Sequence, residues 1–164
     1  MFNIGDKIVY PVQGVGIIDV IEDREFHGEV QKFYNIHLIN NSMKLMLPSS
    51  RINNSNIRLI SDSSSLDHIF KCVLDKSSSL EDLESINSKE RMAINNDKMK
   101  SGTLEDLVEV VFNLSHIKKK RTLNSSETQQ LKNARKFVID EISLAKEVTK
   151  EEASDFLDKS IHLA

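Results

Sequence analysis

The sequence predicts an α+β fold in which a small N-terminal β-barrel of the SH3 or Tudor type precedes an all-α helical bundle. Short alternating apolar runs with turn residues between them fill the first sixty residues, whereas the remainder has the apolar spacing of amphipathic helices. A serine-rich tract at 61–65 marks the change of period. We therefore assign a barrel domain to residues 1–61 and a helical domain to residues 62–164.

Five short strands make up the predicted barrel. Gly14 and Gly16 lie between the first two strands and predict a corner of the barrel, since glycine permits a tight bend there. Turn residues around Gly28 and Asn40 separate the next strands, and Pro48 ends the fourth because it has no N–H to donate to a ladder. No helix of useful length is expected in this half. The predicted strands are 6–11, 17–21, 30–39, 44–47 and 57–60.

The second half contains amphipathic segments with recognisable ends. The serines at 77–79 break the first helix, and Gly102 stops the second. Thr103 is a candidate N-cap for a helix that ends in the basic run 118–121, where cations face the negative end of the helix dipole. Asn124 and Thr149 each precede a glutamate by three residues, as in a capping box. The predicted helices are 64–75, 88–100, one that follows Thr103 and ends in the basic run 118–121, and two that follow these boxes.

Composition excludes several classes of protein. The single cysteine, Cys72, cannot form an intramolecular disulfide or a multi-thiolate metal site, and a reducing cytoplasm suits it. No signal peptide or membrane-spanning apolar run is apparent. A net charge of −3 argues against a binder driven mainly by phosphate charge. We expect a cytoplasmic protein with any nucleic-acid contact confined to a local surface.

No pattern of residues predicts catalysis. The five histidines are scattered, and we find none at ligand spacing with another histidine or cysteine, so no metal site is expected. Cys72 lies beside the apolar stripe of its helix and is interpreted as a structural thiol. Gly14 and Gly16 lack the third glycine and the lysine of a phosphate-binding loop. We therefore expect no enzyme activity, no cofactor and no small-molecule substrate.

Several motifs together resemble the CarD-type bacterial transcription regulators. In the first half these are GDKIVYP at 5–11, GVGI at 14–17, FYNI at 33–36, LP at 47–48 and NIR at 56–58. The same N-terminal domain is the polymerase-interacting module of the transcription-repair coupling factor. In the second half, SG at 101–102 and RTLN at 121–124 resemble the CarD helical domain. The resemblance covers essentially the whole chain. Because no helicase motor is present, the chain is not expected to be the coupling factor itself.

The resemblance implies that the barrel binds the β-subunit lobe of RNA polymerase through an exposed strand edge. By position, Arg24 matches a family arginine in that contact, and Lys44, Leu45 and Met46 match the edge that faces the polymerase. Met46 stands where some relatives carry a second arginine. Main-chain pairing at a strand edge tolerates such side-chain changes. RNA polymerase is thus the expected protein partner.

The resemblance also implies that the helical domain touches promoter DNA at the upstream edge of the melted bubble and stabilises the open complex. Several relatives insert a tryptophan there, whereas this chain carries Ser88. The remaining cationic candidates for DNA contact are Lys89, Arg91, Lys120 and Arg121. We expect weak DNA contact that depends on tethering to polymerase.

Two alternatives remain open. The missing tryptophan and the acidic balance favour a polymerase-binding adaptor that no longer engages DNA. A barrel that recognises a peptide or RNA independently of polymerase rests on fold analogy alone.

Overall fold

The computed structural model describes residues 1–76 and 80–162. The chain divides into two compact units, Met1–Ile60 and Ser61–Ala164, and each is described by itself.

The N-terminal unit contains five strands and one short helix. Along the chain these are β1 (Lys7–Tyr10), β2 (Gly14–Phe26), β3 (Glu29–Leu38), β4 (Lys44–Pro48), α1 (Ser49–Asn53) and β5 (Arg58–Leu59). The strands form one antiparallel sheet in the order β4-β3-β2-β1-β5. The sheet therefore has β4 at one edge and β5 at the other.

A long hairpin of β2 and β3 dominates this sheet. β2 is longer than the predicted strand 17–21 at both ends. Residues 14–16, predicted as a corner before the strand, belong to it and pair with β1, and the pairing with β3 continues outward to Phe26 and Glu29. A bulge between Ile18 and Val20 shifts the register within it. The predicted turn around Gly28 is confirmed: His27 and Gly28 have φ of 53° and 82°, as a two-residue hairpin turn with right-handed strand twist requires.

Gly16 is required by close packing within the sheet. A Cβ at this position would lie 2.7 Å from Ile36 Cγ2 and 3.1 Å from the carbonyl oxygen of His37. The backbone of β2 thus rests directly against β3 side chains, which is a reason for glycine in a strand interior. The buried apolar residues of this unit's cluster are Ile8, Ile18, Tyr34, Ile36, Leu38, Leu47 and Ile52.

The short helix α1 was not expected from the sequence. It spans only five residues and buries one side chain, that of Ile52. A single turn is too short to display helical periodicity, so the pattern of the sequence could not reveal it.

Helices are the only regular secondary structure among the described residues of the second unit. Its helices are α2 (Ser63–Asp75), α3 (Leu80–Ser85), α4 (Ser88–Ser101), α5 (Leu104–Lys120), α6 (Ser125–Lys146) and α7 (Lys150–His162). α5 supplies the largest share of the buried apolar residues. The apolar stripes of α2, α6 and α7 pack against α5 or against one another. The predicted α+β class, with a Tudor-like antiparallel sheet followed by a helical region, is confirmed.

Side-chain caps set the helix boundaries. Thr103 Oγ1 accepts from the N–H of Asp106 (3.2 Å), and Asn124 Oδ1 accepts from that of Glu127 (2.8 Å), as predicted. Gly102 ends α4 at φ 71°, which confirms the predicted stop. Asp62 caps α2, and the N–H of Ser65 at 2.7 Å holds the pKa of its carboxyl below the usual value.

In the described part of the second unit, the structure adds one helix, α3, to those predicted. The predicted break at 77–79 lies outside the described residues. α3 itself was not predicted, because it buries none of its residues and so has no apolar stripe. In the described part of the chain, no helix combines the length and apolar character needed to cross a membrane.

Candidate functional site

β4 occupies an edge of the sheet and pairs with another strand on one side only. Its residues Lys44 to Leu47 lie opposite His37 to Tyr34 of β3. Within the described residues, no strand pairs with the other side of β4. An edge of this kind presents main-chain donors and acceptors that another chain can pair with.

The direction of those main-chain groups follows from the pairing. The N–H of Leu38 donates to the carbonyl oxygen of Met43 at 2.8 Å, which makes 38 and 43 a hydrogen-bonded pair. Hydrogen-bonded and non-hydrogen-bonded pairs alternate along an antiparallel ladder. The main-chain groups of Leu45 and Leu47 therefore point toward β3, whereas those of Lys44 and Met46 point to the outer edge.

Side chains of β4 alternate in the same way between core and surface. Leu47 is buried and Leu45 packs against the same apolar cluster. Lys44 and Met46 are exposed, with Met46 at 42 % of its full accessibility. In register, Met46 lies opposite Asn35, which lies opposite the exposed Val20 of β2. The surface beside the free edge is therefore partly apolar with one lysine.

Arg24 lies on β2 away from the segment that β4 covers. Its guanidinium is 2.7 Å from the carboxylate of Glu22 and is half exposed. In register Arg24 lies opposite Gln31, whereas the last β3 residue paired with β4 is Phe33. The structure thus brings Lys44, Leu45 and Met46 together and leaves Arg24 further along the hairpin, where its contact with polymerase stays a prediction.

Lys120 and Arg121, at the end of α5, both bond to Glu84 of α3. Lys120 Nζ lies 2.8 Å from Glu84 Oε1, and Arg121 Nη2 donates to the Glu84 carbonyl oxygen at 3.4 Å. The hydrogen bond with the Lys120 ammonium is the main cause that holds the pKa of the Glu84 carboxyl below its usual value, and the hydrogen bond with His116 is the second. These two cations are therefore directed toward α3, although both remain exposed.

Ser88 and Lys89 form the first turn of α4. Asn87 caps this turn by accepting from the N–H of Glu90 at 2.9 Å. Lys89 is exposed and Ser88 half-buried. Lys89 is therefore accessible to a partner, whereas Ser88 offers only a small hydroxyl where relatives carry a large apolar wedge.

Arg91 requires a correction. This residue was predicted to contact DNA, but its side chain is 3 % exposed, with Nε and Nη2 at 2.6 and 2.5 Å from Glu127 Oε1. A guanidinium held by a buried carboxylate cannot reach a phosphate without breaking that pair. We therefore assign Arg91 to the packing of α4 against α6. Glu127 was interpreted only as part of a capping box, because its spacing from Asn124 gave no sign of a distant partner.

The histidines and the cysteine also need one correction. His68 and Cys72 lie four residues apart on α2, with Nε2 and Sγ 3.5 Å apart, so one such pair does have a spacing that two ligands can share. Two donors are too few for a structural metal site. No group of three or more His, Cys, Asp or Glu side chains suited to a metal ion occurs among residues 1–76 and 80–162.

Comparisons with known proteins match both units. Residues 2–61 match the family described as "CarD-like/TRCF RID domain", and residues 72–158 match "CarD, C-terminal domain". A protein of Bacillus subtilis (strain 168) named "Putative transcription factor YdeB" is 40% identical over 156 residues, which cover 95% of this chain and 99% of that protein.

Two solved structures from Myxococcus xanthus are similar to about a third of this chain. The solution structure of the 72-residue N-terminal domain of CarD is 25% identical, with a TM-score of 0.32, and covers 36% of this chain and 79% of that one. CdnLNt is 42% identical, with a TM-score of 0.30, and covers 32% and 75%. The family matches to both units, together with the full-length relative, show that this chain belongs to the CarD family of transcription factors.

Proposed function

We propose that this protein binds the β-subunit lobe of RNA polymerase by adding the free edge of β4 to a sheet of the polymerase. The observation that carries the proposal is the position of β4 at the end of the sheet, with the main-chain groups of Lys44 and Met46 directed outward. Strand addition draws its affinity from main-chain hydrogen bonds and its specificity from alternate side chains. Met46 and Lys44 are the exposed side chains along this edge.

Replacing Met46 with proline is expected to weaken binding to polymerase by about tenfold or more, equivalent to about 1.4 kcal/mol. Proline removes an N–H that points away from β3, so the ladder within the sheet keeps its hydrogen bonds. The measurement is a pull-down and titration of the immobilised β lobe, with circular dichroism to verify the fold.

Leu59 provides a matched control at the opposite edge of the same sheet. Ile60 N–H donates to Lys7 O, so by the same alternation the N–H of Leu59 points outward from β1. Leu59→Pro should leave polymerase binding unchanged. Equal binding by wild type and Met46→Pro, or no binding by the folded wild-type protein, would contradict the proposal.

We further propose that the helical unit touches promoter DNA at the upstream edge of the bubble and changes the lifetime of the open complex. The exposed Lys89, Lys120 and Arg121 support this proposal. A near-neutral chain can act through so few cations when polymerase holds it beside the DNA, because tethering raises the effective concentration to about the millimolar range. The proposed role is that of a non-enzymatic regulator acting in the cytoplasm, where the polymerase is found.

Replacing Lys89, Lys120 and Arg121 with glutamine is expected to change the lifetime of the promoter complex several-fold toward that without the protein. The effect should shrink at high salt, because phosphate contacts release counterions. The measurement is the decay of open complexes after addition of a competitor, at several salt concentrations and promoters. Binding to the β lobe serves as the control and should stay unchanged. An unchanged lifetime with wild-type protein at every promoter would exclude this part of the proposal.

A polymerase-binding adaptor without DNA contact is the second candidate. Ser88 in place of an apolar wedge and the burial of Arg91 favour it, because both reduce the surface available to DNA. Reversing the charge of Lys120 and Arg121 discriminates between the candidates. If the effect on transcription persists unchanged in that variant, the adaptor is the better description.

A further inference from the structure

The packing of α6 separates its charges by sign. The helix contains three carboxylates, and all are buried: Glu127, Asp140 and Glu141 are 2 %, 2 % and 0 % exposed. Each has a partner inside the unit, because Glu127 pairs with Arg91, Asp140 with Lys150 at 3.4 Å, and Glu141 accepts from the N–H of Ser61 at 2.9 Å. The charges that α6 presents to solvent are therefore positive, although the sequence of the helix is nearly neutral.

Three of these surface cations share one side of α6. Lys132 and Lys136 are exposed, and Arg135 is half-buried. With about 100° of rotation per residue, Lys132 falls between Arg135 and Lys136 around the helix axis. Residues three and four apart are neighbours on a helix surface, so the three cations form one continuous positive strip.

At Arg135 this strip meets two lysines of α5. Lys118 and Lys119 line an open depression of about 420 Å³ together with Arg135. The basic run 118–121 is thus divided, since Lys120 and Arg121 bond to Glu84 instead. We name Lys118, Lys119, Lys132, Arg135 and Lys136 the α6 basic face.

Few negative charges oppose these cations. Asp158 is the only carboxylate among the described residues that line the depression, and its Oδ1 accepts from Arg135 Nη1 at 2.8 Å. This bond occupies one nitrogen of the Arg135 guanidinium and fixes the orientation of that group. Asp155, one turn earlier on α7, is exposed but lies outside the lining. The depression therefore keeps an excess of positive charge.

We propose that the α6 basic face binds the phosphate backbone of duplex DNA, as a surface additional to the start of α4 and the end of α5. Lysine and arginine side chains spread over two helices suit phosphate contacts, which position a protein without reading sequence. An acidic protein segment would need a buried apolar anchor for stable binding, and among residues 80–162 the lining offers only Leu131 and Ile161. The inference rests on the proposed function for the presence of DNA beside the helical unit.

The test measures binding of the full-length protein to a short labelled duplex by fluorescence anisotropy, over a range of low salt concentrations and without polymerase. The variants are Lys118→Gln with Lys119→Gln, and Lys132→Gln with Lys136→Gln. Each pair should reduce the slope of log K against log salt by about 2, at about 0.9 for each lost phosphate contact. The control, Lys71→Gln with Lys100→Gln, makes the same charge change on α2 and α4 and should leave the slope unchanged.

Three results would overturn the inference. These are an equal slope for all variants, no DNA binding by the wild-type protein at any salt concentration, and loss of poly-glutamate binding in the double variants with an unchanged DNA slope. The last result would indicate an acidic protein partner. The promoter-complex lifetime of the variant at Lys89, Lys120 and Arg121 tests the proposed DNA contact without changing the α6 basic face. A failure of this inference is therefore distinguishable from a failure of the proposed function.

Discussion

Replacing Arg91 with alanine is expected to lower the free energy of unfolding of the helical unit by about 3–5 kcal/mol. The change leaves the carboxylate of Glu127 buried without its partner, since this side chain is only 2 % exposed. α4 buries one apolar side chain, Met99, so it has little hydrophobic area to hold it when the pair is broken. Chemical denaturation followed by circular dichroism measures the loss.

Two control variants separate the buried pair from surface effects. Arg135 pairs with Asp158 at a more exposed site, so Arg135→Ala should cost no more than about 1 kcal/mol. Replacing both members of the buried pair, with Arg91→Met and Glu127→Leu, should recover most of the loss because no uncompensated charge remains. If Arg91→Ala costs no more than Arg135→Ala, the ion pair does not hold α4 in place.

Replacing Ile36 with alanine is expected to destabilise the N-terminal unit by about 2–5 kcal/mol, because Ile36 is fully buried at the centre of the sheet. Gly16→Ala should cost about 1–3 kcal/mol through overpacking, since its new Cβ would lie 2.7 Å from Ile36 Cγ2. The measurement is the free energy of unfolding of each variant and of the combination.

The combined variant tests whether the two residues share one space. Ile36→Ala removes the Cγ2 atom that the new methyl group of Gly16→Ala would meet, so the combined cost should be smaller than the sum of the separate costs. Gly5→Ala is not a suitable control for Gly16→Ala. Nothing crowds the Cβ position of Gly5, but its φ of 89° would add backbone strain. Simple additivity would show that the close approach of β2 to β3 does not determine the preference for glycine.

The local features of this fold were predictable from the sequence. Thr103 and Asn124 were identified as helix caps, and Gly102 as a helix stop, because capping depends on residues within one turn. The turn at Gly28 was identified for the same reason. The short alternating strands and turn residues of the first sixty residues predicted the small SH3- or Tudor-like fold, and the family motifs at 5–17 and 33–36 agreed with that prediction.

Side-chain roles that depend on distant partners were not predictable. Arg91 and Glu127 are 36 residues apart in the chain, and the sequence gives both the appearance of surface charges. The positive surface of α6 depends in the same way on the burial of Glu127, Asp140 and Glu141. The sequence by itself therefore determined the fold class, the capped helix ends and the family, but not the helices α1 and α3 or the full length of β2. Only the tertiary structure decided which charges reach solvent, because burial depends on how helices pack and not on the identity of one residue.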